Sequence, residues 1–337
     1  MGFRCVLPLF LALTVPVCAQ SPVSQSSSSE NPGQTTAGES SSAKIENSAA
    51  NSAANAPNLN LTPDANGKLS QQQMESLFRV VAEKDEENDK LLRDYTYTER
   101  DVQKMLNGKG QVKSTEIKTY DVMEISGEQV QRLIEKDDKP LSTKDAAKED
   151  EKIQKIIDKR KNESEEDRKK RQERQEKDRR QAREFVTEVA DAYNFKLVGT
   201  EELDGRDAWV IDGEPRPGFE PHMREAKFLS KFHGRVWIDK NDLQLVKMDV
   251  EAIDNVSVGW VLARIHKGAR VMYEQTRIND EAWLPQHLTF NVDGRLALVK
   301  GFNVDGEQTF RDYKKFRTSA RIVGVGKEVK DPDKDSQ

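Results

Sequence analysis

The sequence predicts an α+β fold: a curved antiparallel sheet, or incomplete β-barrel, is covered by an N-terminal helix, and a long charged helix is inserted between strands. Three observations predict this class. Apolar residues recur at helical spacing between 71 and 93, stretches of alternating apolar and polar residues follow, and residues 143–193 contain neither Gly nor Pro. The apolar stripe of the first helix must be covered, most simply by the sheet.

Composition restricts the class of protein. The 337 residues carry 54 Lys and Arg against 59 Asp and Glu, a net charge of −5, and 34% of them are charged. Because an average soluble domain has about 25% charged residues, part of the chain must lie outside any packed core. No apolar run long enough to span a bilayer follows the N-terminus, and the net acidic charge does not favour a nucleic-acid partner.

The N-terminus has the pattern of a secretory signal peptide. Residues 1–19 combine a positive charge at Arg4, an apolar stretch and small residues before a cut after Ala19. Such a cut removes both cysteines, so the mature chain would have no disulfide; the alternative is a lipid anchor on Cys18. We therefore expect an exported, periplasmic protein, with a lipid-anchored or secreted protein as the alternatives.

Two further segments lack the composition of a packed fold. Residues 20–68 are rich in Ser, Ala and Asn and contain no aromatic residue, which predicts a disordered tether. Residues 327–337 are a short charged tail with nothing to bury, and we expect this tail to be disordered. The folded domain is therefore expected to occupy residues 69–326.

The first helix has a clear start. Ser70 can accept a hydrogen bond from the Gln73 amide while the Gln73 side chain reaches back, and Leu69 can pack on Met74. The apolar stripe then continues to residue 93. Beyond it, residues 95–106 and 112–125 predict a hairpin around a turn at 107–110, and residues 129–141 predict a third strand (β-branched and aromatic residues are frequent in the hairpin).

Residues 143–193 predict one continuous helix, which would span about 75 Å at 1.5 Å per residue. Its middle is nearly devoid of apolar residues but rich in acid-to-base pairs four residues apart, such as Glu166 with Lys170, which support an exposed helix. Apolar residues near its ends, such as Ile153 and Phe185, can dock, so the segment is interpreted as a projecting spacer. No apolar heptad repeat persists, so a coiled coil is not favoured. The acidic residues between the basic ones also disfavour binding of nucleic-acid phosphates.

Strands resume after Asn194, which could cap the helix in the left-handed conformation. Residues 246–252 alternate strictly between apolar and charged side chains, which indicates an antiparallel strand with one buried face. The turn signals at Asp293 with Gly294 and Asp305 with Gly306 predict separate short strands on either side. The predicted strands are 195–203, 206–212, 234–239, 243–253, 258–265, 269–278, 284–292, 295–303 and 307–316.

An apolar sheet face is the candidate binding site, although core packing explains the same residues. The candidate cavity-lining side chains are Val246, Met248, Val250, Trp260, Leu262, Met272, Leu288 and Phe290. The irregular segment 215–235 supplies a candidate lid, whose apolar residues are Phe228, Leu229 and Phe232; the alternative is an ordinary connection that plugs the core.

No signature of catalysis is present in the sequence. It has no His-Glu-x-x-His pair, no Gly-x-Ser-x-Gly elbow and no phosphate-binding Gly-Lys-Ser/Thr loop, and its four His are scattered. Most carboxylates fall at turns or alternate with apolar residues on strands, where they serve solubility and turn formation. We therefore expect that the protein is not an enzyme and that it has no catalytic residue, no cofactor and no metal site.

The order of elements resembles the periplasmic lipoprotein carriers and outer-membrane lipoprotein-sorting proteins of the LolA/LolB type. The residues that carry the resemblance are the helix 71–93 leading into Tyr95, the stretch 204–211, the stretch 236–239 before a turn and long strand, and Trp283 to Pro285. The charged insertion and the long tether depart from that pattern, and the arginine that latches the lid in that family cannot be placed here.

The resemblance implies a non-enzymatic carrier whose half-barrel binds an acyl chain or a lipidated protein, with a role in outer-membrane lipoprotein sorting. An alternative from another class is a protein-interaction or stress-sensor module of the cell envelope. In that alternative the sheet is filled by its own side chains and the helix 143–193 contacts an envelope protein partner.

Overall fold

The computed structural model describes residues 59, 61–258, 263–296 and 300–316. The predicted signal peptide with Cys18, most of the tether 20–68, and the tail 327–337 lie outside the described residues. None of the described helices is both long enough and apolar enough to cross a bilayer.

Helix α1 (Gln71–Leu92) begins where the sequence predicts. Ser70 accepts from the Gln73 amide at 3.2 Å, and the Gln73 side chain accepts from the Ser70 amide at 2.8 Å, so both halves of the capping box form. Leu69 and Met74 are buried in the same apolar cluster. The described chain enters this fold earlier than residue 69, because Leu61 is buried and Lys68 already bridges to the edge of the sheet at Lys196.

The strands form one large antiparallel sheet, and the predicted α+β class is confirmed. The strands are β1 (Tyr95–Leu106), β2 (Val112–Ile125), β3 (Glu128–Lys136), β4 (Lys139–Pro140), β5 (Tyr193–Leu203), β6 (Arg206–Pro215), β7 (Phe232–Asp239), β8 (Leu245–Ala252), β9 (Val256–Val258), β10 (Ala263–Ile265), β11 (Arg270–Ile278), β12 (Ala282–Leu296) and β13 (Lys300–Lys315). Across the described residues, the main path runs β4-β3-β2-β1-β13-β12-β11-β8-β7-β6-β5, and β10 pairs with β12 and β9. Strands β4 and β5 end this path without pairing with each other, so the sheet is open, as an incomplete barrel requires.

The charged insertion is helical, as predicted, but it consists of two helices, α2 (Thr143–Lys161) and α3 (Glu165–Ala192). A new N-cap at Ser164, which accepts from the Asp167 amide at 3.1 Å, separates them. Glu163 pairs with Arg160 at 3.1 Å and with Arg171 at 2.8 Å, and these ion pairs join the two helices across the break. The expectation of one continuous helix over residues 143–193 is therefore wrong.

Both helices of the insertion pack on the domain. Ile153 and Ile157 of α2 are buried against Ile125 of β2, whereas Phe185 of α3 joins the cluster of Phe78 in α1. The ends dock as the apolar residues predicted, but the segment is not a free projecting spacer. Helix α3 also ends without a left-handed cap at Asn194, because Tyr193 has an extended backbone, with φ of −123°, and starts β5 directly.

Two expected turns in the C-terminal part are strand interiors. Gly294 pairs with Phe302 and Gly306 pairs with Phe290 in one long β12–β13 ladder. A Cβ atom on Gly306 would overlap the Phe290 ring, and one on Gly294 would lie 2.5 Å from the Arg264 carbonyl oxygen and 2.7 Å from the Phe302 ring. These glycines therefore allow aromatic rings to lie across the neighbouring strand, and do not mark turns.

Candidate functional site

An apolar cavity of about 160 Å³ lies between helices α1 and α3 and the sheet face that they cover. Helix α1 contributes Phe78 and Val81, and helix α3 contributes Val186 and Val189. The wall also includes side chains or backbone of Ala82, Asp85, Phe185, Tyr193, Phe195, Ile211, Gly213, Leu229, His233, Gly234, Val236, Leu245, Met248, Val250, Tyr273 and Gln275.

The regular spacing of apolar residues builds both walls. On the sheet, Val236 of β7, Met248 of β8 and Tyr273 of β11 are register partners in adjacent strands, so their side chains lie on one face. On α3, Phe185 and Val189 are four residues apart and so share one helical face. The cavity is thus enclosed by two helices on one side and the pleated sheet on the other.

Glycines shape the floor of the cavity. A Cβ atom on Gly213 would meet the Phe195 ring at 3.1 Å, and one on Gly234 would meet Val250 at 3.0 Å. Because these strand positions lack a side chain, Phe195 and Val250 can lean over the neighbouring strands. The Phe195 ring also lies 5.2 Å from the Phe78 ring, between centroids, which joins α1 to β5 beside the cavity.

A hydrogen bond closes one side of the cavity. The Tyr193 hydroxyl donates to the Leu229 carbonyl at 2.8 Å, and this bond joins the start of β5 to the 3₁₀ helix Glu225–Lys231. Burial raises the pKa of Tyr193, so its hydroxyl remains a neutral donor. Leu229 is 3% exposed and lines the cavity through this segment.

The predicted lid residues divide between two clusters. Leu229 packs in the cluster of α1 and α3. Phe232, the first residue of β7, is buried in a neighbouring cluster with Val250 and Ala252, and Phe228 packs against that cluster. The segment therefore covers part of the apolar sheet face in this structure.

Some of the predicted lining residues come together. Met248 and Val250 line the cavity. Leu288 joins Val271 and Tyr273 in a cluster next to it, and Met248, Phe290 and Phe310 pack against that cluster. Trp260 and Leu262 lie outside the described residues.

Val246 and Met272 lie on the opposite face of the sheet. A β-bulge makes Trp237 pair with Lys247 and Ile238 pair with Leu245, so Val246 is the extra residue and packs with Trp237 and Trp283 instead. Met272 pairs with Asp249 and Thr289, and therefore alternates with the cavity-side Tyr273. The side chains of β8 were expected to alternate between the two sheet faces, but this alternation is interrupted at the bulge. The sequence contains no signal that predicts the bulge.

Two polar side chains of the cavity wall were not predicted as site residues. Desolvation by burial raises the pKa of Asp85 to about 7, with a smaller contribution from the nearby Asp89. Gln275 is 7% exposed. Within the described part of the chain, neither side chain forms a hydrogen bond or an ion pair. The signal for Asp85 was present, because it follows Phe78 and Val81 at helical spacing on the apolar stripe of α1.

The histidines are dispersed over the fold, and one of them, His233, contributes to the cavity wall. His266 pairs with Asp293 at 2.8 Å, His287 with Glu307 at 2.9 Å, and His222 with Glu188 at 3.4 Å. In the part of the chain that the structure describes, no group of three or more His, Cys, Asp or Glu side chains is arranged to hold a metal ion. The apolar cavity has the chemistry of a small-molecule ligand site.

Comparison with known proteins gives structural matches only. No protein-family profile matches the sequence, and no curated protein matches it. A putative outer membrane lipoprotein-sorting protein domain from Vibrio parahaemolyticus has 12% identity and a TM-score of 0.29, with 72% of this chain and 95% of that chain covered. A DUF1329 family protein from Desulfovibrio piger has 11% identity, coverage of 74% and 95%, and a TM-score of 0.27. A LolA superfamily protein from Nitrosomonas europaea has 10% identity, coverage of 71% and 92%, and a TM-score of 0.26.

The chain is therefore similar to structures of the lipoprotein-sorting type that its sequence resembles. At TM-scores this low, no ligand and no residue role is transferred from those proteins.

Proposed function

We propose that this protein is a non-enzymatic, exported cell-envelope protein that binds an apolar chain, such as the acyl chain of a lipid or of a lipidated protein, between α1, α3 and the sheet. The observation that carries the proposal is the cavity of about 160 Å³ with an almost entirely apolar wall. Buried apolar space of this kind takes up hydrocarbon in preference to water. A role in lipoprotein sorting in the periplasm is the specific form of this proposal.

The size of the cavity limits what it holds in this state. An engineered apolar cavity of about 150 Å³ binds benzene, so the present volume accommodates about six carbon atoms of a chain. At about 0.8 kcal/mol for each buried CH₂ group, six carbons contribute roughly 5 kcal/mol before the costs of association. A complete acyl chain would need more space, and we expect the 3₁₀ segment carrying Leu229 to move outwards to provide it.

The test fills the cavity without altering the outer surface. Val186 lies on α3 and lines the cavity, whereas Val198 is 48% exposed on the edge strand β5. We expect Val186→Phe to weaken the binding of a fluorescent fatty acid at least tenfold, because the added ring occupies the space for the chain. Val198→Phe is the matched control, since it adds the same ring outside the cavity, and its affinity should equal that of the wild type.

The measurement is a fluorescence titration of delipidated full-length protein, with circular dichroism to verify that both variants are folded. Equal affinity of the folded Val186→Phe variant and the wild type would place the ligand elsewhere. Absence of uptake by the wild-type protein at any concentration would refute the binding of acyl chains altogether.

A second candidate function is an interaction module that uses the charged helices. It is favoured by the exposed, alternately charged part of α3, where Lys170 pairs with Glu166 at 2.6 Å and Lys169 pairs with Glu173 at 4.0 Å. Because Ile153 and Ile157 are buried against Ile125, deleting 146–184 would disturb the core. Reversing the charges of Lys169 and Lys170 leaves the packing intact, and loss of cross-linking to an envelope protein in this variant would support the second function.

A further inference from the structure

The cavity wall includes two polar side chains without a partner among the described residues, Asp85 of α1 and Gln275 of β11. Asn88, one helical turn after Asp85, accepts from the Trp283 amide at 2.7 Å and also donates to the Trp283 carbonyl. Trp283 pairs with Arg277, two residues after Gln275 in β11. The contact between α1 and β12 therefore brings Asp85 and Gln275 to the same end of the cavity.

Both side chains lack a partner within the described part of the chain. The Gln275 side chain is enclosed, yet its amide forms no hydrogen bond, and Asp85 forms neither a hydrogen bond nor an ion pair. Asp85 is partly exposed, and the polar atoms of both side chains remain accessible. A ligand in the cavity can therefore supply the hydrogen bonds that the protein does not.

No cation is directed at Asp85 from its own helix or from the helix packed against it. Arg93 of α1 pairs with Asp89 at 2.9 Å, and Arg183 of α3 pairs with Glu86 at 2.8 Å. The pKa of Asp85 accordingly rises through desolvation and through Asp89, without a lowering contribution from any cation.

The sheet does not supply a cation either. His233 of β7 contributes to the cavity wall, but its ring pairs with Glu214 at 3.4 Å and with Glu251 at 3.9 Å. Lys247 of β8 pairs with Glu274 at 2.8 Å. The polar end of the cavity therefore has acceptor character and no fixed positive charge among the described residues.

We propose that Asp85 and Gln275 form a subsite for the polar group of the ligand, and that this group is a hydrogen-bond donor, a hydroxyl or an amide, at the end of the apolar chain. This inference rests on the proposed function, because it assigns the polar end of the same cavity. The Asp85 carboxylate accepts from the donor, and the Gln275 amide can both donate and accept. A carboxylate head group is rejected while Asp85 is ionised, because two like charges would face each other in a site of low dielectric.

The experiment compares ligands that share a tail and differ in the polar group. Decanol, decanamide and decanoate compete with a bound fluorescent apolar probe on the full-length protein, at pH 8 and at pH 6. At pH 8 we expect the alcohol and the amide to bind at least tenfold more tightly than decanoate. A tenfold ratio of affinities corresponds to the free energy of one hydrogen bond to a charged group. At pH 6 the difference should shrink, because protonated Asp85 can donate to the decanoate anion.

The decisive variant is Asp85→Asn, which keeps the shape of the side chain and removes its charge. The preference for the neutral ligands should disappear and the remaining affinities should not vary between pH 6 and pH 8, whereas the apolar probe should still bind. The matched control is Glu83→Gln, an exposed carboxylate of the same helix, which should retain the wild-type preference.

The outcomes separate the two proposals. If all three ligands displace the probe equally from the wild type, or if Asp85→Asn keeps the preference, the polar subsite is refuted while binding of apolar chains stands. If neither the probe nor any ligand binds the wild type, the proposed function is refuted and the subsite with it.

Discussion

The ionisation of Asp85 makes a prediction about folding that is independent of any ligand. Burial in the cavity wall raises the pKa of this carboxyl from 3.8 to about 7 in the folded protein, whereas the unfolded chain titrates at the ordinary value. Between these two values the folded state binds the proton that the unfolded state releases. The contribution of Asp85 to the free energy of unfolding therefore falls as the pH rises from about 4 to about 7.

The magnitude follows from the shift. A difference of about three pKa units, at about 1.36 kcal/mol for each unit, corresponds to at most about 4 kcal/mol at pH 8. The loss is smaller to the extent that water reaches the carboxylate through the mouth of the cavity. Asp85→Asn removes the ionisable group and keeps a side chain of the same size, so the variant should be 1 to about 4 kcal/mol more stable than the wild type at pH 8 and similar to it near pH 4.

The assay is urea unfolding followed by circular dichroism at half-unit steps from pH 4 to pH 8. Only the difference between the variant and the wild type is interpreted, because other groups, such as Asp101 with its pKa raised to about 6, titrate in both proteins. Glu83→Gln serves as the control and should give a flat difference near zero. A flat difference for Asp85→Asn as well would refute the assignment of a desolvated carboxylate to the cavity.

Three further predictions concern the contacts that build the domain. Gly306→Val should destabilise the protein by several kcal/mol in thermal unfolding, because the added side chain meets the Phe290 ring. Adding Phe290→Ala to this variant should recover part of the lost stability, and no recovery would exclude the clash as the cause. Asn88→Ala should lower the free energy of unfolding in urea by about 2 to 4 kcal/mol, since it removes the partner of both the amide and the carbonyl of Trp283. A loss below about 1 kcal/mol would contradict that contact. Ser70→Ala should cost about 1 kcal/mol, whereas Ser70→Asp should be nearly neutral because aspartate also caps helices; equal losses in both variants would argue against the capping box.

Local signals predicted the elements whose boundaries are set by neighbours in the chain. Ser70 and Gln73 determined the start of α1, and the turn at 107–110 determined the β1–β2 hairpin. Asp204 and Gly205 both have positive φ, which places the β5–β6 turn where the sequence predicts it. These features depend on backbone geometry over a few residues and on little else.

Two of the failures involve residues whose roles depend on a partner in another strand, and the third is a missed helix start. Gly306 has the sequence context of a turn, but it is required where the Phe290 ring crosses the strand. Val246 fits the alternating pattern of β8, but a bulge opposite Trp237 and Ile238 turns it to the other face. Ser164 could have been recognised as a helix start, since Asp167 stands three residues later, but the absence of Gly and Pro favoured one helix.

The sequence by itself determined the α+β class, the amphipathic helix α1, most of the antiparallel strands and the helical nature of the charged insertion, because hydrophobic periodicity and capping residues act over one or two turns of the chain. Only the tertiary structure decided that α3 lies beside α1, which strands face the two helices, and that Asp85 and Gln275 meet in one cavity. The physical reason is that a cavity consists of the space left between elements far apart in the chain. Its shape and polarity therefore depend on how those elements pack.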